Sequence, residues 1–256
     1  MSKITKVHAR QVFDSRGNPT VEAEVTLENN IKTSSIVPSG ASTGAFEAHE
    51  LRDNDKNYFL GKSVLKAVNN VNTIISKKII NQDPNNQNKI DEILLSLDGT
   101  DNKKNLGANS LLAVSLAVRK ASILLNKETY TSSKKDFFLP YPLMNIINGG
   151  AHADNDLNIQ EFMIRPDASK NFMEAIEKCF LVIQNLKKIL KSKKFLTNVG
   201  DEGGFAPSLN SNEEALNLIV DAIESAKLKP GKDISICLDV AANELFDKKA
   251  NYSIQT

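Results

Sequence analysis

The chain has 256 residues, 41% apolar and 25% charged, with 32 Lys and Arg against 31 Asp and Glu for a formal net charge of +1. This is ordinary globular composition, enough for one large or two ordinary domains, and the balanced charge supplies no field that favours direct binding to nucleic acid or to an anionic membrane. Arginine stands at only five positions, and the two cysteines, Cys179 and Cys237, read as free buried thiols of a reducing compartment. The N-terminus is polar, with no signal-peptide core, and no apolar run approaches the ~20 residues of a membrane helix, so the expected address is cytoplasmic.

Residues 20–28 alternate strictly, with Val21, Ala23, Val25 and Leu27 on one face and Glu22, Glu24, Thr26 and Glu28 on the other. That is the pattern of a half-buried antiparallel strand. Residues 4–13 precede it through a turn at Gly17-Asn18-Pro19, and residues 31–37 follow through Asn29-Asn30, so a three-stranded antiparallel meander is expected. Helical spacing takes over at Val64-Ala67-Val68-Val71-Ile74-Ile75, at Ile90-Ile93-Leu94-Leu97 and across residues 108–125. Strands first and helices afterwards is α+β logic, and residues 1–127 are read as one domain. Periodicity is lost from Asn126 onward, so residues 128–138 are read as a linker and 139–256 as a second domain.

In that second domain, only Ala151 to Asn158 separate the apolar run ending at Asn148-Gly149-Gly150 from the next one, residues 159–164. A parallel crossover needs about a dozen residues or more, so the two strands are expected to be antiparallel neighbours. Glu161, at the start of its strand, then lies at the same sheet end as His152. Two amphipathic helices follow, through Phe172 to Leu190 and through Ala215 to Ala226, the second started by a capping box at Ser211-Asn212-Glu213-Glu214. Between them Gly200, Gly203 and Gly204 flank Asp201 and Glu202, and permit φ > 0 and close backbone approach to a ligand. A last strand, residues 234–238, runs into Asp239. The order is β-β-α-α-β, and one His, one Gln and two or three carboxylates are expected to converge. Taken singly these signals are bland: a loop histidine is usually just exposed, Gly-Asp-Glu-Gly-Gly is usually a solvated turn, and an Asp after a strand is usually a cap.

Their company changes that reading. Asp14-Ser15-Arg16-Gly17-Asn18-Pro19-Thr20, Pro38-Ser39-Gly40-Ala41-Ser42-Thr43-Gly44, Leu97-Asp98-Gly99-Thr100, Leu106-Gly107-Ala108-Asn109, Asn148-Gly149-Gly150, Gln160-Glu161-Phe162-Met163-Ile164 and Gly200-Asp201-Glu202-Gly203-Gly204 occur in the order in which the enolase (phosphopyruvate hydratase) family carries them. The chain resembles the first three-fifths of an enolase. The resemblance implies an α+β N-terminal domain followed by the incomplete start of an enolase-type α/β barrel whose second strand runs backwards.

It also implies a function: magnesium-dependent, reversible dehydration of 2-phosphoglycerate to phosphoenolpyruvate in glycolysis. In that reading Glu202 is the general acid, Glu161 its acidic partner at the leaving hydroxyl, and His152 and Gln160 contact substrate. Asp239 is the first magnesium carboxylate, and Ser42, in the Ser/Gly loop that closes over substrate, gives oxygen to a second Mg2+. Enolase-superfamily sites are known for pairing a Lys or His base with one or two magnesium ions that stabilise the enediolate. Family members are homodimers, some found secreted or at the cell surface or in RNA-degrading assemblies. The family places its lysine base and two further metal carboxylates beyond Thr256, so the 256 residues alone are expected to be inactive; the alternative reading is a decayed copy with at most a binding role. After Asp239 the family pattern of two small residues and Ser-Glu-Phe is replaced by Ala241-Ala242-Asn243-Glu244-Leu245.

Overall fold

The computed structural model describes residues 2–40, 43–129, 138–200, 202–246, 251, 252 and 254. They form two compact units, one of Met1–Gly40 with Phe46–Phe137 and the other of Ala41–Ala45 with Phe138–Thr256.

The first unit opens with the expected meander: β1 (Ile4–Phe13), β2 (Pro19–Leu27) and β3 (Lys32–Val37) lie in that order with both pairings antiparallel. The alternation of β2 has its physical cause in the packing, since Val21, Ala23, Val25 and Leu27 are buried while Glu22 and Glu24 stay half-exposed, where Arg10 of β1 pairs with both. Asn30 takes the left-handed conformation (φ 64°) in the β2–β3 hairpin, which Asn tolerates. Helical segments α1 (Leu65–Asn70) and α2 (Ser76–Ile79) are joined by a π-helical turn, Val71–Ile75. The extra residue of that turn aims Asn72 at the outer edge of β1: Ala9 N donates to Asn72 Oδ1 at 2.7 Å, and Asn72 Nδ2 donates to Ala9 O at 3.0 Å. One side-chain amide thereby takes the place of a neighbouring strand.

α3 (Gln87–Asp98) and α4 (Ala108–Asn126) complete the unit. Asp98 is buried at a cost to its charged form that is outweighed by the hydroxyl of Thr100, by Leu106 N at 2.7 Å and by Thr100 N at 3.1 Å, all donating to its carboxylate and holding it below the ordinary Asp range. Asn109 likewise closes both amide groups on Leu51, so the Leu97 and Leu106 motifs serve the fold. At 19 residues α4 has, by length and composition alone, what a membrane-crossing helix needs, though Arg119 and Lys120 interrupt its apolar run. Its Ala113, Val114, Ala117 and Val118 are buried in the sheet core, and Thr33 Oγ1 donates to Ala117 O at 2.8 Å. Burying side chains of this kind stabilises by about 1.5–3 kcal/mol each for the larger ones, which accounts for the helix's composition.

The second unit runs β4 (Met144–Asn148), β5 (Glu161–Arg165), α5 (Phe172–Ser192), α6 (Asn212–Ser225) and β6 (Ser235–Asp239), the expected β-β-α-α-β order. The sheet order is β4-β5-β6, and β5 runs against both neighbours. Phe162 and Ile164 face the helices, packing in one core with Val182, Leu186, Leu218 and Ala222. The opposite face carries Glu161 and Met163 of β5. Residues paired across antiparallel strands share a face, so Asn145 and Asn148 of β4 and Cys237 and Asp239 of β6 lie on that face too. Cys237 is half-buried there, whereas Cys179 is fully buried in the helix layer; the sequence reading had both buried, and Cys237 departs from it because it lies on the polar face of a strand that pairs, among the described residues, with β5 alone. Ser211 caps α6 as expected, accepting from Glu214 N at 3.1 Å, but the return bond of Glu214 lands one residue upstream, on Asn210 N at 2.8 Å. α5 uses the same device with Asn171 and Glu174.

Candidate active site

The site grows from the polar face of the second sheet at the end where β4 and β6 finish and β5 begins. Glu161 pairs in register with Asn148 on one side and Asp239 on the other, so three polar side chains stand abreast at that end. The short link after β4 folds back through a 3-10 turn, Gly150–His152, and drives the imidazole into the same end. His152 is buried, its Nδ1 3.6 Å from Glu161 Oε1 and 3.7 Å from Glu202 Oε2.

Glu202 arrives on the glycine turn. Gly200 N donates to Gly204 O at 2.9 Å, closing a small hairpin, and Phe205 continues it alongside β4 in parallel, with Asn148 N donating to Phe205 O at 2.8 Å and Phe205 N to Ile146 O at 2.9 Å. Two glycines account for the shape. Gly203 holds φ +86°, and a Cβ on Gly200 would stand 2.3 Å from Asn148 Nδ2 and 2.5 Å from His152 O. The close approach that glycine permits is therefore to the protein's own chain.

Asn148 was noted in the sequence only as part of the Asn148-Gly149-Gly150 motif and Asn145 not at all, yet the two hold the turn. Asn145 Nδ2 donates to Asn148 Oδ1 and lies 3.5 Å from Glu202 Oε2, and Asn148 Nδ2 donates to Gly204 O at 3.1 Å. Two asparagines within an otherwise apolar strand are a signal, because buried amides need partners. Their spacing of three predicts opposite faces on a regular strand, but a bulge between Asn145 and Ile147 returns both to one face.

Electrostatics at the cluster are governed by Glu161. Burial, then the hydrogen bond and charge of Glu202, then the charge of Asp239, push its carboxyl up to about 7. Two carboxylates this close resist ionising together, and the cost falls on Glu161, the more buried of the two. The Glu161 side chain is 14% exposed and that of Glu202 45%, so the buried member faces inward and the exposed one opens to solvent.

Of the remaining expected residues, Gln160 is buried next to the Gly149-Gly150 turn, its carbonyl accepting from Gly149 N at 2.9 Å. Asp239 is exposed at the end of β6, with one carboxylate oxygen accepting from Ala241 N at 2.9 Å. The altered run behind it forms a 3-10 turn, Ala242–Leu245, in which Asn243 is exposed. Ser42 and Asp201 lie outside the described residues, as does most of the expected linker.

A buried histidine facing two carboxylates, at the strand end of an α/β unit that follows an α+β unit, makes a candidate site on a partial barrel scaffold. Comparison with known proteins narrows the class. The family model of the enolase N-terminal domain matches residues 4–130, and that of the enolase C-terminal TIM barrel domain matches residues 136–256. The enolase of Pelagibacter ubique (strain HTCC1062) is 60% identical over 259 aligned positions that take in all of this chain. The chain belongs to the enolase family. It spans 62% of the length of that curated relative.

Proposed function

We propose that these residues furnish the proton-donating side of an enolase site, for the reversible dehydration of 2-phosphoglycerate to phosphoenolpyruvate. The observation that carries this is the convergence of His152, Glu161 and Glu202 at one sheet end, with the imidazole Nδ1 3.6 Å from one carboxylate and 3.7 Å from the other. Hydroxide is a poor leaving group, and its expulsion as water needs a positioned proton donor. Glu202, the exposed member on the glycine turn, gives the proton from Oε2 to the departing hydroxyl. Glu161, fixed in β5, is the acidic partner, its own carboxyl pushed up to about 7 by burial and by Glu202 and Asp239, and Asn145 holds Glu202 Oε2 in place. His152 faces both carboxylates and is the proposed substrate contact by family resemblance, with Gln160 as the further one.

Magnesium, when bound, supplies positive charge to a developing carboxylate dianion. Asp239 fits as one of its ligands, since it presents hard carboxylate oxygen at an exposed strand end on the same sheet face as Glu161; Ser42 is the proposed contact to a second ion. Family membership supports a homodimer and a cytoplasmic address. The departure at Asn243 and Leu245 favours a second reading, a copy without turnover that retains a binding role. One experiment separates the two. A chimera joining this chain to the remaining length of the Pelagibacter enolase is assayed for magnesium-dependent phosphoenolpyruvate formation, alone and with Glu202→Gln. Turnover is expected, with dehydration abolished in the variant while exchange of the proton next to the carboxylate continues. An inactive chimera supports the second reading, and equal loss of both reactions shows that Glu202 is not the donor.

A further inference from the structure

We propose that His152, Glu161 and Glu202 form a binding site for a divalent cation of the zinc class, separate from the position of Asp239. One ligand atom from each residue lies within 4.8 Å of the other two. Zinc takes nitrogen and carboxylate oxygen at ~2.0–2.2 Å, which places the ligands of a tetrahedral ion about 3.3 Å apart. The His152 Nδ1 distances of 3.6 and 3.7 Å exceed that by a few tenths of an ångström, a gap that small side-chain rotations close.

A second observation is independent of this spacing. The His152 side chain is 3% exposed, yet among the described residues its Nδ1 has no hydrogen-bond partner. A buried polar nitrogen without a partner is unfavourable, and here it is aimed between two carboxylates that repel each other. A cation satisfies the nitrogen through its lone pair and removes that repulsion, and any ligand proton leaves to solvent as the metal enters. Entry and the fourth ligand position are open on the side of Glu202, whose side chain is 45% exposed, so water completes the shell.

The imidazole sets the selectivity. Magnesium requires near-octahedral oxygen ligation and dehydrates reluctantly, whereas one nitrogen and two carboxylate oxygens suit zinc or cobalt. Two other metal-binding sources are controlled for. His8 and His49 belong to the first unit. Cys237 shares the sheet face with Asp239 and offers a thiolate.

The test is titration of the 256-residue chain with Zn2+ by calorimetry and with Co2+ by visible absorption, in excess Mg2+. The expected result is one equivalent bound, with a tetrahedral Co2+ spectrum lacking sulfur charge transfer. Affinity should fall at least tenfold in His152→Ala and in Glu202→Gln, stay within twofold in Cys237→Ser and the His8→Ala/His49→Ala double variant, and fall by less than tenfold in Asp239→Asn, whose charge acts at Glu161 without a ligand bond. No binding, a sulfur band, loss of binding in any of the three controls, or retention in His152→Ala would overturn the proposal. If His152→Ala does not fold, the spectrum of the unaltered chain and the three controls still decide. No turnover is needed, so the outcome stands apart from that of the chimera assay.

Discussion

Glu161 is a carboxylic acid placed where its charged form is disfavoured, and the consequence reaches beyond chemistry to stability. Its carboxyl is near 4.5 in an ordinary setting and about 7 in the folded chain. The folded state therefore binds more protons than the unfolded one between those values. The sign follows: this group's stabilising contribution is complete below about pH 4.5 and is lost as pH rises through about 7. Across that window the change is on the order of 2 kcal/mol after allowance for partial screening by solvent. Urea midpoints measured at about pH 5 and pH 8 should show it as a loss of stability on going to the higher pH. Glu161→Gln should remove that component of the pH dependence. A pH response unaltered by the substitution would mean that the carboxyl titrates normally.

Among the elements, α5 and α6 show how local chemistry starts a helix that the core then holds. Asn171 and Ser211 each accept from the N–H of a glutamate three residues on, and each glutamate reaches back past the cap to the preceding N–H. Ser211→Ala should cost about 1 kcal/mol, read as a lower denaturation midpoint with unchanged slope. An unchanged midpoint would show that Asn210 and Glu214 carry the helix start by themselves. The cap of α6 was readable in the sequence because Ser-x-x-Glu is a pattern of residue types, and the strands β1 to β3 were readable because alternation and turn residues agreed. The antiparallel β4–β5 pair followed from a link too short for any crossover. Other features escaped because no residue type announces them. The bulge that sets Asn145 and Asn148 side by side is a shift of one position, and it overturns every face assignment downstream of it. The π-helical turn that aims Asn72 at β1 also hides within an ordinary helical pattern. Spacing made α4 readable as a helix, and only the burial of its small residues in the sheet core shows what its apolarity is for.

At the level of the whole molecule, the two sheets treat their edges differently. In the first unit, Asn72 answers the backbone of Ala9, so the outer edge of β1 is blunted at its middle. In the second, β6 pairs with β5 alone among the described strands, and Leu238 is 42% exposed on it. An apolar edge strand is a template for another chain. The 256-residue chain should self-associate with rising concentration, and Leu238→Lys should shift it toward monomer by size-exclusion chromatography. A chain that stays monodisperse at high concentration with Leu238 intact would remove the edge as the cause. Gly200 carries a consequence of another kind, one of inheritance. Every missense change at that codon adds at least a Cβ, and that atom meets both Asn148 Nδ2 and His152 O. A second change that shortens Asn148 clears the first obstacle but also removes the partner of Asn145, which steadies Glu202. The His152 carbonyl is backbone, and no codon can shorten it. Lineages that keep Glu202 in position therefore have no easy two-step route away from Gly200, because a side chain there displaces the turn that carries Glu202.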